Sequence, residues 1–593
     1  MIKFTWLAAF CGFALTAGWP APAAPADTNL ATTAEQSQNA RTGRYAEVER
    51  LCAAFAARWP RQVHCFQFGT TPEGRPMLAL AVSADGAMSA SRSRAQHRPV
   101  ILLQGGIHAG EIDGKDAGFL ALRELLQGSV ARDSLKKVTL LFVPVFNIDG
   151  HERFGAWNRP NQVGPEEMGW RTTAQNFNLN RDYAKADTAE MQAMLGLLNE
   201  WDPVVYVDMH VTDGAQFQHD VSVTVGPAED GDAQVAKLAA NIRDAVNASL
   251  ATQGSLPLPF YPAFVVDDDP MSGFSLRPSS PRYSTGYWGL RNRVAILLET
   301  HSWKDYPTRV RVTRNFIVDL LELARDQAGE WQRIAYAADD SASHLAGSRV
   351  PLEFVNTKQA HIVAFRGYEY ESTLSSISGD LVTRYDPSKP AIWKVPFYDQ
   401  VSANYEVTAP GAGYIVAAAH AGWLAPKLRG HAIEFEVIAR AQSAAPLQAY
   451  RATKVTIATA TFENHVEMKV IGAWRAETRD IPAGSLFVPI AQPKARLVMA
   501  LLEPQAPDSY VTWGFFNNAF EQKEFVETYV AEQMGRDMLE KDPALKAEFE
   551  QKLATNPEFA HDPKARLDFF YRRHASWDER VNLYPVYRVD AWK

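Results

Sequence analysis

The sequence predicts an α/β fold with a mostly parallel sheet, followed by a β-rich domain and a helical C-terminal segment. Three observations carry this reading. Short, largely apolar runs (Val100–Leu103, Val138–Val145, Val204–Asp208, Val294–Glu299) alternate with longer stretches of helical spacing. Such runs read as strands buried on both faces, and their alternation with helices marks a parallel sheet. Near residue 340 the texture changes to short β-type stretches separated by Pro, Gly and Asp, and from Phe520 onward it becomes helical.

In chain order, the first element is a targeting segment. Lys3 precedes an apolar run from Phe4 to Ala17, followed by Ala/Pro-rich sequence through Ala26. Positive charge, short apolar run and small-residue site are the parts of a secretory signal peptide, expected here over residues 1–26. The run falls short of the ~20 residues that span a bilayer. Export to the periplasm or the exterior is therefore expected, with no stable membrane insertion after cleavage. Residues 27–44 are polar and small and read as a flexible leader. Val48, Leu51, Cys52, Phe55 and Ala56 recur at helical spacing between Tyr45 and Trp59, and Pro60 ends the run. Strands are expected at Val63–Phe68 and Met77–Val82, around a turn at Thr71–Gly74. Helices are expected at 110–127, Ala189–Glu200, Asp232–Thr252 and Val312–Ala338. These elements delimit a catalytic-sized domain over 45–338. The β-rich domain occupies 339–515, with β-type stretches at Arg349–Asn356, His361–Ser372, Ala432–Arg440, Tyr450–Ala460, His465–Trp474 and Arg496–Leu502. The helical segment fills 516–593, where Asp542-Pro543 supplies a cap and first residue.

Composition removes several function classes. Of 593 residues, 46% are hydrophobic and 22% charged, which is ample for a packed core and unlike a disordered chain. Lys+Arg number 60 against 68 Asp+Glu, a net charge of −8, and no basic run is present. A nucleic-acid partner is not expected, because phosphate binding needs clustered Lys and Arg. With 3 Cys, one of them inside the signal, the chain is not a disulfide-dense scaffold. Cys52 and Cys65 are close in sequence in an exported chain and are expected to pair.

The chemistry-bearing residues stand at the ends of the apolar runs. Gln104-Gly105-Gly106-Ile107-His108-Ala109-Gly110-Glu111 follows the first, and Asp208-Met209-His210 closes another. A His and a Glu three apart on a turn into a helix can face one ion. Two His and one Glu form a catalytic zinc set that leaves a fourth position for water. Glu299 ends the run from Val294 to Leu298. A carboxylate there is costly unless it is bound or functional, and zinc hydrolysis needs a general base. Arg171 suits a developing oxyanion, and Asn180 with Arg181 suits a terminal carboxylate.

The stretch from about residue 45 to 330 resembles the M14 zinc carboxypeptidases. The resemblance rests on Trp59-Pro60, Gly74-Arg75-Pro76, Gly105–Glu111, Asn147–Gly150, Asn180-Arg181, His210 and Glu299, met in the family's order. It implies a mixed sheet between helices and a peptide substrate. It implies one Zn²⁺ per chain, held by His108, Glu111 and His210. It implies Glu299 as the base that activates water and then protonates the leaving amine. Arg171 would stand at the carbonyl oxygen, and Asn180 with Arg181 at the substrate's C-terminal carboxylate. The family also uses a mobile Tyr, for which Tyr283 is preferred and Tyr287 is the alternative. The chain departs from the family at Asn178, where the family commonly has Asp. An Asn there still accepts an N–H but brings no charge.

Two other readings are open at this level. The Asp208–Gly214 stretch also resembles the aspartoacylase-like amide hydrolases, which cleave N-acyl amino acids. A binding protein on a peptidase fold is the third, and retention of every ligand-type residue and of Glu299 weighs against it.

Overall fold

The computed structural model describes residues 29–592, so the expected signal peptide lies outside the described residues. The segment expected as a flexible leader is instead built into the body of the protein. Helix α1 (Thr33–Gln36) is closed by a capping box between Thr32 and Glu35. Glu35 pairs with Arg123, Thr33 Oγ1 donates to Glu47 at 2.7 Å, and Thr42 Oγ1 donates to Asp116 at 2.6 Å. Its polar residues are the reason it read as a leader, and the same residues are what tie it down.

Helix α2 (Tyr45–Arg58) follows, then strands β1 (Val63–Thr70) and β2 (Pro76–Val82), helix α3 (Ala90–Ala95) and strand β3 (Val100–Gly105). Next come α4 (Asp113–Leu126), β4 (Thr139–Val143), α5 (Ile148–Glu152), α6 (Ala189–Trp201), β5 (Val205–Val211) and β6 (Val221–Gly226). Then follow α7 (Ala233–Thr252), β7 (Pro257–Leu258), β8 (Phe274–Ser275), α8 (Ser284–Gly289), β9 (Val294–Thr300) and the long α9 (Tyr306–Ser343). All of these strands but β8 form one sheet in the order β1-β2-β4-β3-β5-β9-β6-β7. The four central strands β4, β3, β5 and β9 run parallel, and β1, β2 and β6 join in antiparallel pairs. Every residue of β3, β4 and β5 is buried, which is why their sequences are nearly continuous apolar runs. Helices α4 and α7 both pack against α9. Cys52 on α2 is bonded to Cys65 on β1, with Cα atoms 5.5 Å apart.

Beyond α9 the chain is β-rich, with exceptions. Strands β10 (Arg349–Asn356), β11 (His361–Leu374), β12 (Leu381–Tyr398) and β13 (Val401–Thr408) form two antiparallel pairs, β10 with β13 and β11 with β12. The β12 end adds β8 in parallel, at Phe397↔Phe274 and Tyr398↔Ser275. Strands β14 (Gly413–Val416), β15 (Glu436–Val437), β16 (Gln442–Ile457), β17 (Met468–Ile481) and β18 (Leu486–Pro489) belong to a six-stranded antiparallel sheet. Its sixth member is β19 (Leu583–Val589), inside the segment expected to be helical. Helix α10 (Ala418–Gly430) also lies in this region. Arg496–Leu502, read as β-type, is helical within α11 (Ala495–Leu502), because its apolar run from Leu497 to Leu502 fits either period and burial favours the helix. Helices α12 (Thr528–Lys541), α13 (Pro543–Thr555), α14 (Pro557–His561) and α15 (Pro563–Tyr571) complete the fold.

The two halves share one core. Leu198, Trp288 and Leu321 from the first belong to the same buried cluster as Tyr414, Leu424, Val498 and Tyr510 from the second. Polar links reinforce the junction. Asp187 meets Lys427 at 2.9 Å and His465 at 2.7 Å, and Arg282 meets Asp508 at 2.7 Å.

Candidate active site

The site is built at the carboxyl ends of β3, β5 and β9, where an open parallel sheet places its ligands. After β3 the chain must turn sharply, and Gly106 does so at φ +61°, a conformation open to glycine. Gly110 is needed for room, since a Cβ there would lie 2.7 Å from the Gly169 carbonyl oxygen. This turn delivers His108 and Glu111, and β5 delivers His210. One donor atom from each lies within 4.8 Å of the others, and all three residues are buried.

Both imidazoles present Nδ1 to Glu111. His108 Nδ1 is 3.0 Å from Oε1, and His210 Nδ1 is 2.9 Å from Oε2, which also accepts the Val211 N–H at 3.1 Å. Their outer nitrogens have different partners. His108 Nε2 faces Asn178 Oδ1 at 3.1 Å. His210 Nε2 lies 2.9 Å from Asp208 Oδ2, as an ion-pair contact without hydrogen-bond alignment. Asp208 Oδ1 in turn accepts from Gln104 Nε2 at 2.9 Å. A ligand histidine backed on its far nitrogen has its tautomer and orientation set. Asn178 thus occupies the position behind His108 without charge, and the buried carboxylate stands behind His210.

Charge is balanced tightly around Glu111. Oε1 meets Arg159 Nη1 at 2.9 Å and Arg171 Nη1 at 3.3 Å. Burial opposes ionisation of Glu111, but His108 and Arg159 hold its pKa well below the ordinary range. Burial lowers the His108 pKa to about 4, which keeps its ring neutral as a metal ligand must be. Burial also opposes a charge on His210, yet Asp208, Glu111 and Glu299 raise its pKa well above the usual value. The donor set fits a zinc ion. It combines the N/N/O atoms of a catalytic site with His108 Nδ1 buried and without a hydrogen-bond partner.

Glu299 stands beside this cluster because β5 and β9 run parallel in register, with His210 opposite Glu299. It is 7% exposed, and its Oε2 is buried without a hydrogen-bond partner. Burial pushes its pKa up to about 8, with His210 opposing and the Glu111, Asp208 and Asp213 carboxylates assisting.

A cavity of about 400 Å³ holds His108, Glu111, Arg171, Asn180, Arg181, His210, Tyr283 and Glu299 on one wall system. Arg181 places its guanidinium 4.5 Å from the centre of the Tyr283 ring, and burial lowers its pKa. Asn180 Oδ1 accepts weakly from the Ser284 N–H at 3.4 Å. Tyr287, the other tyrosine considered, is fully buried and bonds His431 Nδ1 at 2.9 Å away from this cavity. Thr224, Tyr261, Leu276, Thr285 and Leu297 are among the other residues that line the cavity. They come from β6, the 260–290 stretch and β9.

Arg159 and Asp208 were not singled out from the sequence. Asp208 carried a usable signal, since residues two apart on a strand share a face. Arg159 comes from an irregular loop, and only the folded chain brings it to Glu111.

A buried His/Glu/His triad at the strand ends, with Glu299, Arg171 and Arg181 around one cavity, is a metal-dependent hydrolase type of site. Residues 48–255 match the family model of the zinc carboxypeptidases. The match ends before Glu299. Carboxypeptidase 2 of Trichophyton tonsurans is 21% identical over 465 residues, spanning 74% of this chain and 78% of that protein. Among solved structures, a metallo-carboxypeptidase from Burkholderia cenocepacia is 16% identical, with TM-score 0.33, over 46% of this chain and 68% of that one. Carboxypeptidase A from Helicoverpa armigera is 15% identical, with TM-score 0.35, over 50% of this chain and 75% of that one. The family match and the His/Glu/His cluster support a metallocarboxypeptidase-type function with zinc and peptide substrates.

Proposed function

We propose that the protein is an exported zinc exopeptidase that hydrolyses the C-terminal peptide bond of peptides. The observation that carries this is Glu299: a buried carboxylate with an unpartnered oxygen, in register with His210 and facing the cavity that holds Arg181. One Zn²⁺ per chain, held by His108, Glu111 and His210, supplies Lewis acidity and lowers the pKa of water. Arg181 binds the substrate's terminal carboxylate in a two-point pair, with Asn180 beside it. Tyr283 covers that end of the cavity. The scissile carbonyl then lies toward Arg171, whose guanidinium stabilises charge developing on its oxygen. Glu299 takes a proton from the attacking water at Oε2 and passes it to the leaving amine nitrogen. Export rests on the N-terminal charge and apolar pattern, and it suits the Cys52–Cys65 bond.

The test is product profiling. Zinc-loaded protein is incubated with a mixed peptide library and with N-acyl amino acids, and products are read by mass spectrometry. Single residues released from C-termini are expected, and Glu299→Gln should remove the activity while zinc remains bound. Internal cuts, or turnover confined to N-acyl amino acids, would overturn the proposal.

A further inference from the structure

The second half of the chain reaches the residue behind His108 through the turn joining β16 to β17. Phe462 and His465 exchange hydrogen bonds across it at 2.8 and 3.0 Å. The two residues between them, Glu463 and Asn464, have φ of +48° and +66°. A two-residue turn of this form favours Asn and Gly. Asn464 fits that preference. Glu463 does not, so its presence at the first position asks for another reason.

Its side chain supplies one. Glu463 Oε2 accepts the backbone N–H of Asn178 at 3.0 Å. Asn178 is the residue behind His108. Its Oδ1 faces His108 Nε2 at 3.1 Å and accepts the Asn180 N–H at 3.0 Å. The turn is also held firmly in place. His465 Nε2 meets Asp187 Oδ2 at 2.7 Å, and the Phe462 ring lies parallel to Trp513 with centres 6.0 Å apart. Arg282 sits over both rings, 5.6 Å from Phe462 and 4.4 Å from Trp513.

We infer that Glu463 is a positioning residue for the metal centre, contributed by the C-terminal half of the chain. It anchors the Asn178 main chain so that Asn178 Oδ1 stays fixed on His108 Nε2, and His108 Nδ1 stays turned toward the ion. A neutral Asn has a single oxygen that must serve both His108 and Asn180, and it adds no charge to hold the pair together. An external anchor on its backbone is therefore of more use here than it would be behind a carboxylate. The inference rests on the zinc site proposed above.

Zinc dissociation constants measured by chelator competition on the full chain test it, with thermal unfolding as the check on folding. Loss of a partner behind a metal ligand typically weakens binding about 10–100-fold, and an effect one bond further out should be smaller, about 3–10-fold for Glu463→Ala. Glu463→Gln keeps an acceptor oxygen and should bind within about twofold of the native chain by the same reasoning. In an Asn178→Ala background, Glu463→Ala should cause no further loss, because the two act in series. Unchanged affinity in Glu463→Ala overturns the inference. So does an equal loss with and without Asn178, which would mark a merely structural turn. A native chain that takes up zinc but releases no C-terminal residues refutes the proposed activity alone. A native chain that takes up no zinc refutes the metal site and this inference with it.

Discussion

Replacing Asp208 with Asn should weaken zinc binding while leaving the fold intact, and the structure shows how. Tyr206 donates its hydroxyl to Gln104 Oε1 at 2.8 Å, which fixes the Gln104 amide with Nε2 toward residue 208 at 2.9 Å. An Asn at 208 must therefore turn its single oxygen to Gln104 and its NH₂ to His210 Nε2. Lying 2.9 Å from Nε2, that NH₂ disfavours a proton there and so favours the tautomer protonated at Nδ1, the nitrogen facing Glu111. The substitution removes a buried negative charge and also favours the wrong tautomer for a ligand. Partners of this kind are worth about 10–100-fold in metal affinity, or roughly 1.4–2.8 kcal/mol. Competition against a chromophoric chelator measures it. Asp208→Asn protein that binds zinc within about twofold of the native chain would refute the reasoning, since neither charge nor tautomer at His210 would then matter.

Three further outcomes are expected. Asp187→Asn should destabilise the chain by about 2–4 kcal/mol in denaturant unfolding at pH 7, because it leaves Lys427 and His465 without their shared partner. Burial works against the Asp187 charge, but His465, Lys427 and Lys185 hold its carboxyl well below the usual range. A depressed carboxyl contributes stability that is complete above its unfolded value of about 3.9 and is lost as pH falls through the folded value. The gap between native and variant should thus start to narrow below about pH 4 and close only below the depressed folded value, and a gap that does not narrow at all as pH falls would contradict the assignment. Arg181→Ala should raise KM for peptides by about 10–100-fold with a smaller change in kcat, the size of a lost charged two-point pair, as steady-state kinetics would show. Replacing Cys52 and Cys65 together by Ala should cost about 2–4 kcal/mol, seen as a lower unfolding midpoint that reductant no longer shifts.

How much of this was legible in the sequence depends on whether a residue's role is local. The strands of the central sheet were legible because burial on both faces leaves them almost purely apolar. His108, Glu111, His210 and Glu299 were legible because each ends such a run, and the sheet brings run ends together. The 29–44 segment was misread because its polarity serves contacts with Glu47 and, far along the chain, with Asp116 and Arg123. Arg496–Leu502 was misread because a short apolar run carries no period of its own. Strand β19 was missed since its neighbours β14 and β16 lie more than 120 residues upstream, and nothing local announces the pairing. Arg159 and Glu463 belong to the same class: each contacts the site across loops whose sequence has no pattern.

Charge is distributed unequally behind the two histidines. At His108 the chain has Asn where a carboxylate would have both oriented the ring and raised its basicity. The structure divides those two tasks. Orientation at His108 is kept by Asn178, whose main chain is held by Glu463 from the other half of the protein. Basicity is supplied at His210, where Asp208 is wholly buried and shared only with Gln104. Moving the carboxylate from a loop to the face of a central strand makes it more rigid, because β5 is hydrogen-bonded on both sides, to β3 and to β9. It also makes the site depend on a distant segment, since an uncharged Asn on an irregular turn has less to hold it. The continuous core between the halves then has a functional meaning beyond stability: the turn at 462–465 can fix Asn178 only if β16 and β17 are held rigidly against the first half. Residues 339–592 are in this reading part of the metal site's scaffold, reaching the residue behind His108 through the Glu463 carboxylate and the Asn178 peptide N–H.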